Sequence, residues 1–372
     1  MTKFLHTADW QIGRVYAFFD PEDAVILSEA RTSTVERIAQ LAVTEVVDLI
    51  IVAGDVFDAQ TVTDRTIRRL FLAMQGFAGH WCLLPGNHDA ALSESIWTRA
   101  QRLGVVTDHI HLLLTPEPLL LPDQGVAILP APLTQRQTSE DLSVSLDAMD
   151  TPPGLLRIGV AHGAVQGVLP EGVDSSNPIA PDRATTARLD YLALGDWHGC
   201  KQISDRTWYS GTPEPERYVD NDPGYVLLVQ VATPGAEPVI ERRRVGQFRW
   251  ERWTQEFHLA EDVDALLERL ATLDAQHVVR LDLSGVLDIT ARHRLVDGLA
   301  AASARVRAVE YDLTEVRLQP TDADIAAMQA DGYLADVISE LRDRSAVPDQ
   351  QDAATEALVI LADILHSQHG AA

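Results

Sequence analysis

The chain reads as an α/β layered sandwich followed by a smaller αβ unit and a helical tail. Two patterns predict this. Over the first two thirds, short apolar runs alternate with amphipathic stretches, as expected of strands covered by helices. The apolar runs also end repeatedly in Gly or Pro followed by polar residues. Those polar groups therefore fall beyond the carboxyl ends of strands, where open sheets of this class bind ligands.

Each element has its own signal. "VDLIIVAGD", ending at Asp55, is a continuous apolar run and predicts a strand buried on both faces. Before it, "SEARTSTVERIAQLAV" carries Val35, Ile38, Leu41 and Ala42 on one helical stripe. "HWCLLPGNHD", "GVAILP", "LLRIGVAHG" and "LDYLALGDWHG" repeat the strand-then-turn shape. "GYVLLVQV" and "PVIERRRV", joined by "ATPGAEP", predict a strand pair closing one sheet edge. A second unit follows with helix "DVDALLERLATL", strand "HVVRLDLSG", helix "TARHRLVDGLAAA" and strand "VRAVEYDL". From Thr321 the chain turns acidic and helical, through "DADIAAMQA" and "TEALVILADILHSQ". Domains are expected at 1–248, 249–320 and 321–372.

At 372 residues the length suits two or three domains, and 46% hydrophobic residues supply a sizeable core. The net charge of -25, with Lys3 and Lys201 as the only lysines, argues against a simple DNA-coating protein. It leaves room for an enzyme that meets phosphates through metal and a local Arg cluster. Cys82 and Cys200 are too few for a disulfide framework and fit a reducing cytoplasm. No signal segment and no membrane-length apolar run is read, so a soluble cytoplasmic protein without membrane contact is expected.

Candidate ligands stand at the strand ends in chain order: Asp9, Asp55, Asn87-His88, His162, and Asp196 with His198. Singly, such an Asp is more often a turn or helix cap, and such a His an ordinary hydrogen-bonded residue. Jointly, carboxylate, amide and imidazole groups recurring at the ends of strands in one sheet point to metal chemistry.

The ordered series D-x-[H/Q] at Asp9 and Gln11, "AGDVFD", "LPGNHD", "AHG" and "GDWHG" resembles the calcineurin-like metallophosphoesterase superfamily. Within it, the chain resembles SbcD-type nuclease subunits of DNA repair complexes, and "WYSGTPEPER" continues the likeness. The resemblance implies a four-layer metallophosphoesterase β-sandwich flanked by helices, a small αβ cap domain with a possible DNA contact, and a helical C-terminal tail. It also implies two divalent cations, with Mn²⁺ as the metal and Mg²⁺ or Fe²⁺ as alternatives. The reaction implied is two-metal hydroxide attack on phosphorus.

By the same resemblance Asp55 bridges the cations. The first takes Asp9, Gln11 and His198, and the second takes Asn87, His162 and Asp196. His88 assists the leaving group. Asp89 orients His88 or caps a helix, two readings left open. Gln11 and Asp196 depart from histidine, the common residue at both positions. Asp196 offers an anionic oxygen and Gln11 only a neutral amide oxygen, so the first cation is expected to be held more loosely, or through water.

Other features carry two readings each. Arg65, Arg68 and Arg69 after the Asp55 loop meet DNA phosphates or are ordinary surface charge. "ERRRVGQFRWERW" tracks nucleic acid or is a solvated edge strand with buried Trp. Trp10 and Trp197 are read as packing beside ligands, and Asp58 as an acid behind them. Leu358, Ile360, Leu361 and Ile364-Leu365 dock a partner helix or pack on their own domain. The resemblance implies a DNA substrate and an SbcC-type ATPase with a coiled coil, with a homodimer as a further arrangement. The leading function is thus a DNA exonuclease or endonuclease subunit of an SbcCD-like repair complex. The competing functions are a small-molecule or cyclic-nucleotide phosphodiesterase and a non-catalytic repair scaffold.

Overall fold

A computed structural model describes residues 1–168, 176–219, 221–319, 321 and 333–369. The chain forms two compact units, Met1–Arg249 and Trp250–Ala372.

In the first unit the strands are β1 (Thr2–Thr7), β2 (Leu49–Ala53), β3 (His80–Leu84), β4 (Ile110–Leu112), β5 (Leu119–Leu121), β6 (Val126–Ala131), β7 (Leu156–His162), β8 (Ala164–Val165), β9 (Pro178–Ile179), β10 (Tyr191–Gly195), β11 (Lys201–Ser204), β12 (Thr207–Tyr209), β13 (Tyr225–Val231) and β14 (Val239–Arg244). Its helices are α1 (Pro21–Thr44), α2 (Asp64–Ala73), α3 (Ile96–Arg102) and α4 (Arg183–Thr186). Two six-stranded sheets result, ordered β14-β13-β1-β2-β3-β4 and β11-β12-β10-β7-β6-β5.

The layering follows from strand alternation. In β1 and β2, Phe4, Leu49 and Ile51 point between the sheets, where they meet Ile128, Ile158, Val160 and Tyr191 of the other sheet. Their neighbours Leu5, Ile50 and Val52 point the other way, onto Val35, Ile38 and Ala42 of α1 and Ile67 and Leu70 of α2. A strand covered on both faces has no polar side to show, which is why these segments read as unbroken apolar runs. The second sheet is covered likewise, with Leu129, Leu192 and Leu194 packed against Leu146, Ala184 and Leu189. The unit is a four-layer α/β sandwich, the predicted fold class.

Strands β1, β2, β3 and β4 run parallel, as do β6, β7, β10 and β12. The pair β13 and β14 adds antiparallel to β1 and closes that edge. The helix predicted from Ser28 begins at Pro21, and proline suits a first turn whose amide has no partner. Strands β4, β5, β11 and β12, each of three or four residues, have no counterpart among the predicted elements.

The second unit contains β15 (Arg249–Phe257, all but its first residue), β16 (His277–Leu287), β17 (Ala308–Asp312) and β18 (Val316–Leu318), with α5 (Ala260–Ala271), α6 (Ile289–Ser303), α7 (Tyr333–Ser345) and α8 (Gln351–His369). Strand β16 pairs in parallel with β17 and with β18. Val263 and Leu266 of α5 and Leu295 and Leu299 of α6 pack on Val279, Leu281 and Leu283 of β16. Leu358 of α8 packs with Ile289 and Ile338, with Leu361 alongside, while Ile360 and Ile364 are exposed. The segment "DADIAAMQA" and the side chain of Leu365 lie outside the described residues.

Candidate metal centre

The carboxyl ends of β1, β2, β3, β7 and β10 deliver every ligand candidate to one place. The loops after β1 and β2 are zipped together: the Asp9 amide donates to the Gly54 carbonyl at 3.0 Å, and the Gln11 amide to the Asp55 carbonyl at 2.9 Å. Asp9, Gln11, Asp55 and Asp196 all have positive φ, at 53°, 46°, 51° and 99°. Left-handed backbone at non-glycine residues costs on the order of 1–3 kcal/mol each and persists where surrounding structure enforces it. Here it turns four candidate ligand side chains inward.

Close backbone approach requires glycine at two points. A Cβ at Gly54, whose φ is +95°, would lie 2.1 Å from His162 Nδ1. A Cβ at Gly86 would lie 2.2 Å from Asp55 Oδ1. The short "AGD" and "PGN" turns thus leave room for the imidazole and the carboxylate.

Ligand atoms of Asp9, Asp55 and His162 lie within 4.8 Å of one another. His162 Nδ1 faces the Ala53 carbonyl at 2.9 Å and must carry a proton, so Nε2 is the ring nitrogen turned toward the carboxylates. That nitrogen lies 3.6 Å from Asp55 Oδ1, 3.7 Å from Asp196 Oδ1 and 3.0 Å from Asn87 Oδ1. Acceptors converging in this way call for a cation. Turned by half a rotation, the Asn87 amide would instead donate to Asp55 and to His162 Nε2. The donor set of carboxylate, amide oxygen and imidazole fits Mn²⁺-type ions.

Electrostatics agree. Burial, with the Asp55 and Asp196 carboxylates adding to it, pushes Asp9 up to about 6 against the pull of His198 and His162. Burial opposes charge on His162, but Asp55, Asp196 and Asp9 outweigh it and raise the imidazole to about 9. Burial also raises Asp196. The pocket asks for positive charge. A cavity of about 450 Å³ opens over Asp55, Asn87, His88, Asp196 and His198.

His88 donates its backbone amide to Asp55 Oδ1 at 2.9 Å, and its Nδ1 meets the Asp58 carbonyl at 2.7 Å. This leaves Nε2 toward the cavity, 3.9 Å from Asp55 Oδ2. Asp89 departs from both of its predicted roles. Its carboxylate accepts from the Phe57 amide at 3.0 Å and the Gly86 amide at 2.7 Å, so it ties two site loops rather than orienting His88 or capping a helix. Burial and the nearby Asp55 push Asp89 up to about 7. The acid Asp58 sits behind the ligands, paired with Arg14.

Gln11 is buried but does not offer its oxygen to the ligand cluster. Arg14 Nη1 donates to Gln11 Oε1 at 2.8 Å, and Gln11 Nε2 faces His198 Nε2 at 3.3 Å. The group most clearly missed from sequence is Glu216 in "TPEPER". Its Oε1 accepts from His198 Nδ1 at 2.6 Å, and its Oε2 meets Arg31 and Arg14 at 2.8 and 3.0 Å. Burial would raise this carboxyl, but His198 and Arg31 drive it far below the usual range. A Pro-Glu-Pro-Glu run looks like an exposed loop, and nothing in its local pattern marks a buried anion.

Arg65, Arg68 and Arg69 lie on α2, exposed. Arg69 pairs with Glu29 at 3.4 Å, and Arg68 reaches the Leu103 carbonyl at 3.4 Å. In "ERRRVGQFRWERW", Arg242 pairs with Asp222 and Arg243 with Glu45 on the edge strand β14, while Phe248 and Trp253 are buried. Trp10 is buried edge-on against Trp81, and Trp197 is half-buried beneath Lys201.

Residues 2–165 match the calcineurin-like phosphoesterase family. The metallophosphoesterase superfamily is thereby supported. The chain is 26% identical over 281 residues to the uncharacterized metallophosphoesterase YhaO of Bacillus subtilis, covering 71% of this chain and 65% of that protein. It is 33% identical over 94 residues to an SbcCD nuclease subunit of Rhodobacter capsulatus, covering 24% of this chain and 22% of that one. The chain thus spans less than two thirds of the length of either relative. The solved structure of TT1561 from Thermus thermophilus matches with a TM-score of 0.41 at 13% identity, over 66% of this chain and 99% of that one. Among the described residues, no helix is long and apolar enough to cross a membrane. Metallophosphoesterases use divalent metals, and the cluster of Asp9, Asp55 and His162 is the candidate site here.

Proposed function

We propose that this metallophosphoesterase is a DNA nuclease, acting on ends as the partner of an SbcC-type ATPase with a coiled coil. The supporting observation is the convergence of Asp9, Asp55, Asn87, His162, Asp196 and His198, with His88 facing the same cavity. The stretch similar to an SbcCD nuclease subunit directs the choice of DNA over other phosphodiesters.

Bound divalent cations, Mn²⁺ in this reading, would supply Lewis acidity at the phosphate oxygens and neutralise charge developing at phosphorus. Asp55, Asn87, His162 and Asp196 would hold one such ion, and Asp9 and His198 would stand beside the other. His88 is held through Nδ1 by the Asp58 carbonyl, so Nε2 is the ring atom that can share a proton with the leaving oxygen. The exposed guanidinium groups of Arg65, Arg68 and Arg69 would contact backbone phosphates, with Arg65 lacking an ion-pair partner among the described residues. The second unit is proposed as a DNA-contacting cap with one restriction. Its cleft sets Glu310, Asp312 and Glu315 beside Arg280, whose charge is already shared with Asp282, and this acidic excess disfavours phosphate. In the ATPase contact, Ile360 and Ile364 would provide the apolar surface.

The test is a Mn²⁺-dependent nuclease assay on linear and circular DNA, comparing wild type with His88→Ala and Asp55→Ala. The proposal expects cleavage by wild type and its loss in both variants. Cleavage of small diesters such as bis(p-nitrophenyl) phosphate without cleavage of DNA would move the assignment to a small-molecule phosphodiesterase.

A further inference from the structure

The two cation positions differ in how the protein's own hydrogen bonds treat them. Around the first position the bonds close into a ring. Arg14 Nη1 donates to Gln11 Oε1 at 2.8 Å, and Gln11 Nε2 meets His198 Nε2 at 3.3 Å. His198 Nδ1 meets Glu216 Oε1 at 2.6 Å, and Arg14 Nε returns to Glu216 Oε2 at 3.0 Å.

The polarity of this ring is fixed by chemistry. A guanidinium has no acceptor, so Gln11 must turn its oxygen to Arg14 and its NH₂ to His198. Glu216 is an acceptor, so the His198 proton sits on Nδ1 and the Nε2 lone pair receives the Gln11 amide. Of the groups that the first position would use as ligands besides the Asp9 and Asp55 carboxylates, the Gln11 oxygen and the His198 lone pair are thereby both engaged. Arg14 is itself held by Gln11, Asp58 and Glu216, so it cannot swing away without losing three partners.

At the second position the Asn87 amide has, among the described residues, no guanidinium on its oxygen, although Asp55 Oδ1 accepts the His88 amide at 2.9 Å. The Asn87 amide meets only His162 and Asp55 among the described residues, and half a rotation exchanges its oxygen for its NH₂. To offer its oxygen to an arriving cation it gives up only its own bonds to Asp55 and His162 and displaces no guanidinium. Asp55 and Asp196 add two carboxylates there.

We propose that Arg14 is a lock on the first metal position. Through Gln11 it closes that position, so that the protein holds one divalent ion firmly at Asp55, Asn87, His162 and Asp196 and a second only weakly. Gln11 is accordingly the coupler between Arg14 and His198 and not a ligand. The inference rests on the metallophosphoesterase reading of this site but makes its own demand on stoichiometry.

The experiment is titration of the full chain with Mn²⁺, counting free ion by electron paramagnetic resonance. Wild type should bind one tight equivalent and a second at least about tenfold weaker, the scale on which partners behind a ligand shift metal affinity. Arg14→Met should tighten the second equivalent by about tenfold and leave the first unchanged. Gln11→Ala should leave the tight equivalent unchanged, with folding of both variants checked by circular dichroism. Two equivalents of equal affinity in wild type would overturn the lock, as would loss of the tight equivalent in Gln11→Ala. Absence of any bound Mn²⁺ would overturn both the lock and the metal reading. One tight equivalent with no phosphodiester hydrolysis would leave the lock standing and remove the proposed activity alone.

Discussion

Glu216 Oε1 accepts a hydrogen bond from His198 Nδ1 at 2.6 Å, while Glu216 Oε2 meets Arg31 at 2.8 Å. One buried carboxylate therefore fixes a candidate metal ligand and neutralises a guanidinium that is 1% exposed. Arg31 also donates to the Trp10 carbonyl at 2.8 Å and the Tyr16 hydroxyl at 2.9 Å, so the pair anchors α1 to the loop after β1. Replacing Glu216 with Gln keeps the shape and removes the charge. Leaving a buried partner unpaired costs roughly 3–5 kcal/mol. Urea unfolding of Glu216→Gln should show a loss of that order, and Mn²⁺ affinity at the position served by His198 should fall roughly 10–100-fold. An unaltered Mn²⁺ titration would mean that Glu216 does not set the imidazole.

Gly54 makes a second, sharper case. Alanine there meets a φ of +95° and places Cβ 2.1 Å from His162 Nδ1, which holds the Ala53 carbonyl. Gly54→Ala should displace the imidazole and abolish the tight Mn²⁺ equivalent. Gly104, with φ +65° and open space around it, is the control: alanine there should cost only about 1–2 kcal/mol of backbone strain. Equal effects of the two substitutions on Mn²⁺ binding would show that the glycine at the site is not required by the imidazole.

His6 sets a pH dependence independent of the metal cluster. It lies buried between the sheets, with Nδ1 2.9 Å from the Tyr191 hydroxyl and Nε2 3.2 Å from the Leu194 carbonyl. Burial lowers its pKa from 6.5 to about 3, against the raising effect of the Leu194 carbonyl. In the unfolded chain His6 takes up a proton near pH 6.5, whereas in the folded chain it does so only near 3. Its contribution to stability is therefore present above pH 6.5 and is lost as pH falls toward 3. Urea unfolding at pH 7 and pH 5 should show this loss, and His6→Gln should flatten the difference. Identical pH slopes in the two proteins would count against it.

His88 and Asp89 are neighbours with separate roles. His88→Ala should lower the hydrolytic rate by roughly 10²–10⁴-fold while Mn²⁺ binding stays as in wild type, since no ligand is removed. Asp89→Ala removes the acceptor of the Phe57 and Gly86 amides and should lower thermal stability. A rate loss in Asp89→Ala without a drop in stability would return Asp89 to the chemistry.

The readable parts of this chain are those where one residue type has one explanation. Strand β2 shows itself because burial on both faces leaves no polar side chain from Leu49 to Ala53. The strand-end polar residues show themselves because Gly54 and Gly86 stand beside Asp55 and Asn87 in short turns. Edge strands such as β4 and β11 are too short for alternation to register. The polar ring behind the ligands was hidden for a different reason. Arg14, Arg31 and Glu216 are far apart in sequence, and each looks like surface charge until the fold brings them together. The same holds for Gln11, whose residue type suggests a weak ligand while its orientation depends on Arg14.

The strand-end donors around Asp55 are proposed to form a metal-dependent phosphodiesterase site that acts on DNA. The most direct measurement is the rate of nucleotide release from linear duplex DNA in Mn²⁺ by wild type and by Asp55→Ala. Wild type should cleave, and the variant should be slower by at least about a hundredfold, the loss expected when a main electrostatic support of the transition state is removed. Equal rates in the two proteins would contradict this assignment.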